Sequence, residues 1–193
     1  MLRVLTEKKF ILDIGGGLRV DPKRGNRYSA KTEWMRPYLE KLEYKILDPV
    51  PDYSPDYIGD IHHLEFADNS IDAILCLSVL EHVENPIQAC QEMYRVLKPG
   101  GFCLTYIPLL YYYHAEGTYY KDYWRFTKDT IDILFKPYSE YGKYALRGAL
   151  ATWIHISPLG KNKILARAAR FLDLVMKKTK SNQVSGYYIF AIK

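Results

Sequence analysis

The chain has 193 residues, 48% of them apolar, and a formal net charge of +5. That length carries a full core in one domain spanning 1–193, and that composition excludes intrinsic disorder. The three cysteines, Cys76, Cys90 and Cys103, fit neither a disulfide framework nor a zinc pattern, and no apolar run reaches the roughly 20 residues of a membrane span. Met1 to Lys9 holds no apolar secretory stretch, so the expected setting is a reducing cytoplasm with the thiols in the core.

Phe10 to Ile14 reads as a buried strand that runs into Gly15-Gly16-Gly17. Leu18 to Asn26 is polar and basic, with turn signals at Asp21-Pro22 and Arg24-Gly25. A helix is predicted over Ala30 to Leu42, capped by Ser29 and interrupted in character by Pro37. Tyr44 to Leu47, ending in Asp48, is the second strand, and Tyr57-Ile58, ending at Gly59-Asp60, a short third. Ile71 to Leu77 reads as a central strand. Asn85-Pro86 opens a helix that stops near Lys98-Pro99-Gly100-Gly101. Phe102 to Ile107 is the fifth strand, followed by a tyrosine-rich loop from Pro108 to Tyr123. Thr127 caps a helix through Phe135, and a weaker strand lies near Tyr141 to Leu150. A basic amphipathic helix covers 161–180, before a last strand from Tyr187 to Ile192. Strands alternating with helices give an α/β class: a doubly wound, mostly parallel sheet with helices on both faces.

Glycines directly after a strand let backbone approach a ligand at the carboxyl end of a parallel sheet. A dinucleotide site asks for Gly-x-Gly-x-x-Gly and an acid about 20 residues on. The run Asp13-Ile14-Gly15-Gly16-Gly17 lacks that spacing, and its leading acid suits a cationic or amine-bearing ligand. Asp48 is placed to accept from two vicinal ribose hydroxyls, or else forms the turn before Pro49. Asp60 can accept from an exocyclic amine while Ile61 packs on a purine face, or else is again a turn acid.

These segments, with Ser70-Ile71-Asp72, Leu80-Glu81-His82-Val83 and Arg95-Val96-Leu97-Lys98-Pro99-Gly100-Gly101, resemble a class I S-adenosylmethionine-dependent methyltransferase of the type 11 group. The resemblance spans roughly Phe10 to Phe135. It implies a Rossmann-like sheet of seven strands whose last strand is antiparallel. It also implies S-adenosylmethionine as cofactor, with Gly15, Gly16 and Gly17 against it and Asp13 near its amino group. Asp48 would bind the ribose, Asp60 and Ile61 the adenine, and Leu77 and Ser78 would border the methionine and sulfonium. In this chain Arg19 replaces the third glycine of the family's Asp-x-Gly-x-Gly-x-Gly.

Pro108, His114 and Asp122-Tyr123-Trp124-Arg125-Phe126-Thr127 resemble a subgroup that accompanies bacterial glycan genes. His114 is the candidate base for an acceptor hydroxyl, Asp122 could orient it, and Arg125 could hold an anionic acceptor or fix the loop. The expected acceptor is a hydroxyl of a small molecule or glycan. The alternatives are a nitrogen- or macromolecule-directed methyltransferase and an inactive, methyltransferase-like binding module. No metal is expected, since no cluster of acids marks a magnesium ion. The 161–180 helix could lie on an anionic membrane surface, its apolar stripe being Ile164, Leu165, Ala168, Phe171, Leu172 and Val175, or pack on the sheet with a solvated basic face. No module for reading nucleic acid is visible.

Overall fold

The computed structural model describes residues 1–20 and 28–193; the turn signals at Asp21-Pro22 and Arg24-Gly25 lie outside the described residues. Seven strands are present among the described residues: β1 (Phe10–Ile14), β2 (Glu43–Asp48), β3 (Tyr57–Ile58), β4 (Ile71–Leu77), β5 (Leu97–Pro108), β6 (Glu140–Leu146) and β7 (Gly186–Ile192). They form one sheet in the order β3-β2-β1-β4-β5-β7-β6. The first five strands are mutually parallel where they pair, and β7 runs antiparallel between β5 and β6. This is the expected doubly wound arrangement with its antiparallel last strand.

The two faces follow from alternation along buried strands. Leu12 and Ile14 of β1, with Ile74 and Cys76 of β4, join α3 (Pro86–Val96) and α4 (Lys128–Leu134) in the larger core. Ile11, Ala73 and Leu75 point the other way. They pack with Val4 and Leu5 of α1 (Leu2–Glu7) and with Met35 and Leu39. All three cysteines are buried, and burial raises the thiols of Cys76, Cys90 and Cys103, so they stay protonated core groups.

Three elements depart from the sequence reading. The helix expected over 30–42 is a 3-10 turn (Glu33–Met35) and a four-residue α2 (Arg36–Leu39). Pro37 lacks an amide hydrogen, so it sits in the first turn of a new helix and does not continue an old one. The strand near 141–150 ends at Leu146, and α5 (Ala149–Ile156) follows where no helix was anticipated. The long basic helix is α6 (Lys163–Val175), and its apolar stripe does not lie on the sheet.

Instead α6 turns Ala169 and Asp173 inward against Ala151 and Ile154 of α5. The Asp173 carboxylate accepts from Leu150 N and Ala151 N, both at 2.9 Å, and so satisfies amides at the start of α5. Fixing that face inward leaves Ile164 77%, Phe171 65% and Leu174 67% exposed. No helix among the described residues is long and apolar enough to cross a membrane.

Candidate active site

Because β1 to β5 are parallel, their carboxyl ends share one edge of the sheet. The strand order reverses between β1 and β4, and the connections after each strand gather at that crevice. The glycine turn after β1, Asp48 at the end of β2, Asp60 after β3, Ser78 to His82 after β4 and the tyrosine-rich loop after β5 all lie along it.

The turn after β1 is built from within. Gly15 and Gly16 have φ of 78° and 60°, the region that side chains disfavour. A Cβ on Gly15 would lie 2.5 Å from Val79 Cγ2, and one on Gly17 would lie 2.7 Å from Leu77 Cβ. The glycines therefore let the turn lie flush against the end of β4. Asp13 is fully buried and accepts from Gly17 N and Leu18 N, each at 3.1 Å, and from the Tyr44 hydroxyl. Its carboxylate thus holds the glycine turn in place. Arg19, standing where a third glycine is usual, adopts φ of 54°, the left-handed conformation that glycine takes readily.

Asp48 is 6% exposed at the end of β2, and its Oδ1 accepts from Val50 N at 2.9 Å. The turn-forming bond and a place on the ligand-binding edge thus coexist. Asp60 is exposed and accepts from the His62 amide (2.9 Å) and faces its Nδ1 at 2.7 Å. Ile61 is buried in the larger core. Leu77 is half-buried, and Ser78 is exposed with φ of 57° at the point where β4 breaks into the following turn.

The loop after β5 is tied down along its length. Tyr119 donates to Asp52 beyond β2 at 2.8 Å, and Trp124 Nε1 donates to the Val83 carbonyl at 2.9 Å. Tyr123 N and Trp124 N both reach the Glu81 carbonyl. The Arg125 guanidinium donates to both Asp122 oxygens (2.6 and 2.7 Å) and to the carbonyls of Trp124, Tyr112 and Tyr111. Its five donors are all engaged, so of the two roles open to it the geometry favours fixing the loop over holding an anionic acceptor. This guanidinium holds the Asp122 carboxyl down at about 2.

His114 and Asp122 do come together. Asp122 accepts from the His114 amide at 2.8 Å and lies 3.1 Å from its Nδ1. Nε2 faces the other way, 3.7 Å from Glu81 Oε1. The Glu81 carboxylate is the largest influence raising the His114 imidazole above its ordinary value, with Asp122 adding to it. Tyr111 and Tyr112 stack at 4.3 Å beside His114, and His155 of α5 lies 5.4 Å from Tyr111. Glu81 and His82 were visible in the Leu-Glu-His-Val segment, but their approach to His114 was not; only the return of the chain through β5 creates it.

The family described as a methyltransferase domain matches residues 33–105, from just before α2 to the middle of β5. An uncharacterized protein of Methanocaldococcus jannaschii is 32% identical over 103 residues, covering 52% of this chain and 42% of that protein. A ubiquinone/menaquinone biosynthesis C-methyltransferase of a Ruegeria species is 31% identical over 97 residues, covering 47% and 39%. The chain thus spans less than half the length of these curated relatives. The solved structure of an S-adenosylmethionine-dependent methyltransferase from Archaeoglobus fulgidus superposes with a TM-score of 0.62 at 12% identity, covering 100% of this chain and 89% of that one. Residues 33–105 thus match a methyltransferase domain by sequence, and the fold over the whole chain is that of a solved S-adenosylmethionine-dependent methyltransferase.

Proposed function

We propose that the chain transfers a methyl group from S-adenosylmethionine to a hydroxyl of a small molecule or glycan. The observation that carries this reading is the gathering of the glycine turn, Asp48, Asp60 and the His114 loop on one sheet edge at the strand-order reversal. The residues fit the cofactor by chemistry. A carboxylate at the end of β2 suits a ribose diol, an acid after β3 suits an exocyclic amine, and a turn without side chains suits close approach. Asp13 acts by holding that turn, and Leu77 and Ser78 border the methionine end. The cofactor supplies an electrophilic methyl group on sulfur. The protein's task is then alignment of acceptor oxygen, carbon and sulfur, which accounts for much of the rate in such transfers. His114 stands on the acceptor side, with Asp122 and Arg125 fixing its ring.

A second feature supports a peripheral role. The apolar residues of α6 are exposed and bordered by exposed Lys163, Arg167, Arg170, Lys177 and Lys178. That pattern suits an anionic lipid surface.

Calorimetry with S-adenosylmethionine tests the cofactor assignment. Asp48→Ala removes charged hydrogen bonding worth at least about 1.5–3 kcal/mol, so affinity should fall roughly 10- to 100-fold or more. Unchanged affinity would remove the ribose assignment. A screen of acceptors with labelled cofactor, read by mass spectrometry, decides the rest; label on nitrogen would overturn the hydroxyl assignment.

A further inference from the structure

We propose that Glu81, His82 and His114 bind one divalent first-row transition-metal ion, of which Zn²⁺ is the reference. Glu81 and His82 come from the 3-10 turn after β4 (Leu80–His82), and His114 from the loop after β5. One donor atom from each lies within 4.8 Å of the other two.

The first argument is the state of Glu81. Its side chain is 1% exposed, and Oε2 is buried with no hydrogen-bond partner. A buried carboxylate oxygen in that condition is costly unless a cation answers it. The neighbouring imidazoles do not do so as hydrogen-bond donors. Their Nε2 atoms stand 3.9 Å (His82) and 3.7 Å (His114) from Oε1, beyond bonding range.

The second argument is the tautomer of each histidine. His82 Nδ1 lies 2.6 Å from the Lys121 carbonyl, and His114 Nδ1 lies 3.1 Å from the Tyr112 carbonyl and 3.1 Å from Asp122 Oδ2. Carbonyl and carboxylate oxygens only accept, so both Nδ1 atoms carry the hydrogen. In the neutral ring that leaves the Nε2 lone pair directed toward Glu81. A backbone carbonyl or carboxylate on the far nitrogen is the arrangement that orients metal-bound histidines. Here Asp122, clamped in turn by Arg125, supplies it for His114.

Spacing agrees. Donors about 2.1 Å from a tetrahedral ion stand about 3.4 Å apart. The two Glu81–imidazole separations need to close by a few tenths of an ångström, and the two imidazole donors, within 4.8 Å of each other, by up to about 1.4 Å, a closure that rotation of the side chains supplies. Two neutral imidazoles and one carboxylate form a donor set that zinc and non-haem iron both use, with positions left open. The bound site carries a net charge of +1, which suits an acceptor oxygen that has lost its proton.

The ion's role rests on the methyl-transfer reading; its binding does not. In that role the acceptor oxygen occupies an open position and its O–H proton passes to solvent. The oxygen–methyl bond forms as the sulfur–methyl bond breaks, and the sulfur keeps that electron pair as a neutral thioether. His114 then serves as a ligand and not as the free base.

The test is metal uptake with neither cofactor nor acceptor present. Protein stripped with a chelator is titrated with Zn²⁺ by calorimetry and with Co²⁺ by visible absorption. One equivalent should bind, with the Co²⁺ spectrum of a mixed nitrogen and oxygen site. His114→Ala, His82→Ala and Glu81→Gln should each weaken uptake at least 100-fold, and Asp122→Asn by about 10- to 100-fold. His63→Ala, at an exposed position, should leave uptake unchanged. Circular dichroism identifies any variant that fails to fold; the titration of the stripped wild type then decides alone. Uptake below a tenth of an equivalent, or equal uptake by folded His114→Ala and Glu81→Gln, overturns the site. Separate calorimetry with S-adenosylmethionine shows whether the methyl-transfer reading stands or falls independently.

Discussion

Gly15→Ala probes the contact on which the site's geometry turns. The residue has φ of 78°, and moving a side chain into that left-handed region costs about 1–2 kcal/mol. The added Cβ would sit 2.5 Å from Val79 Cγ2, well inside van der Waals contact, and overpacking of that kind costs about 1–3 kcal/mol. Together the substitution should destabilise by about 2–5 kcal/mol, with the clash pushing on the segment that carries Glu81 and His82. Val79→Ala removes the clashing methyl. In the double variant only the backbone cost and the lost Val79 packing remain, so a coupling of about 1–3 kcal/mol is expected. Urea unfolding of the four proteins of this cycle measures it, with an unchanged denaturant slope as the check on two-state behaviour. A Gly15→Ala protein as stable as the parent, or strictly additive effects, would show that the glycine turn does not lie flush against β4.

The remaining predictions concern the loop after β5 and helix α6. Asp122 titrates at about 2 in the fold because of Arg125, below its value of about 3.9 in an unfolded chain. A depressed carboxyl contributes stability above about pH 4 and loses it as pH falls toward 2. Allowing for solvent screening, Asp122→Asn should cost about 1–2 kcal/mol at neutral pH and progressively less below pH 4; a cost that does not shrink with acid would refute the Arg125 account. For α6, vesicles containing anionic lipid should sediment the protein at low salt and release it at high salt. Arg167→Glu with Arg170→Glu should weaken binding by about 1 kcal/mol or more per residue, and failure to sediment at any salt removes the membrane reading.

Elements whose determinants lie within a few residues are legible in the chain's own chemistry. Phe10–Ile14 is a buried strand because four of its five residues are apolar and glycines end it. Asn85-Pro86 starts α3 because the Asn85 side chain accepts from Gln88 N and proline needs no amide partner there. Thr127 caps α4 by the same logic. The ordered acids at successive strand ends then point to the family, since the alternation of strands and helices puts those ends on one edge. Ala149–Ile156 is harder to recognise because it is apolar almost throughout and has no side-chain cap, so no helical stripe stands out.

Residue types and their spacing along the chain were enough for the alternation of strands and helices and hence the doubly wound sheet, because these depend on local periodicity and turn chemistry; the cofactor came from the resemblance of the ordered motifs to a known family. They did not reveal that Asp13 accepts from the amides of the glycine turn, that Arg125 has every donor engaged, or that α6 hides Asp173 and exposes its apolar stripe. Nor did they bring His114 to Glu81 and His82. Those outcomes depend on which groups meet across long loops, and such meetings are decided by competition among buried partners once the sheet has closed.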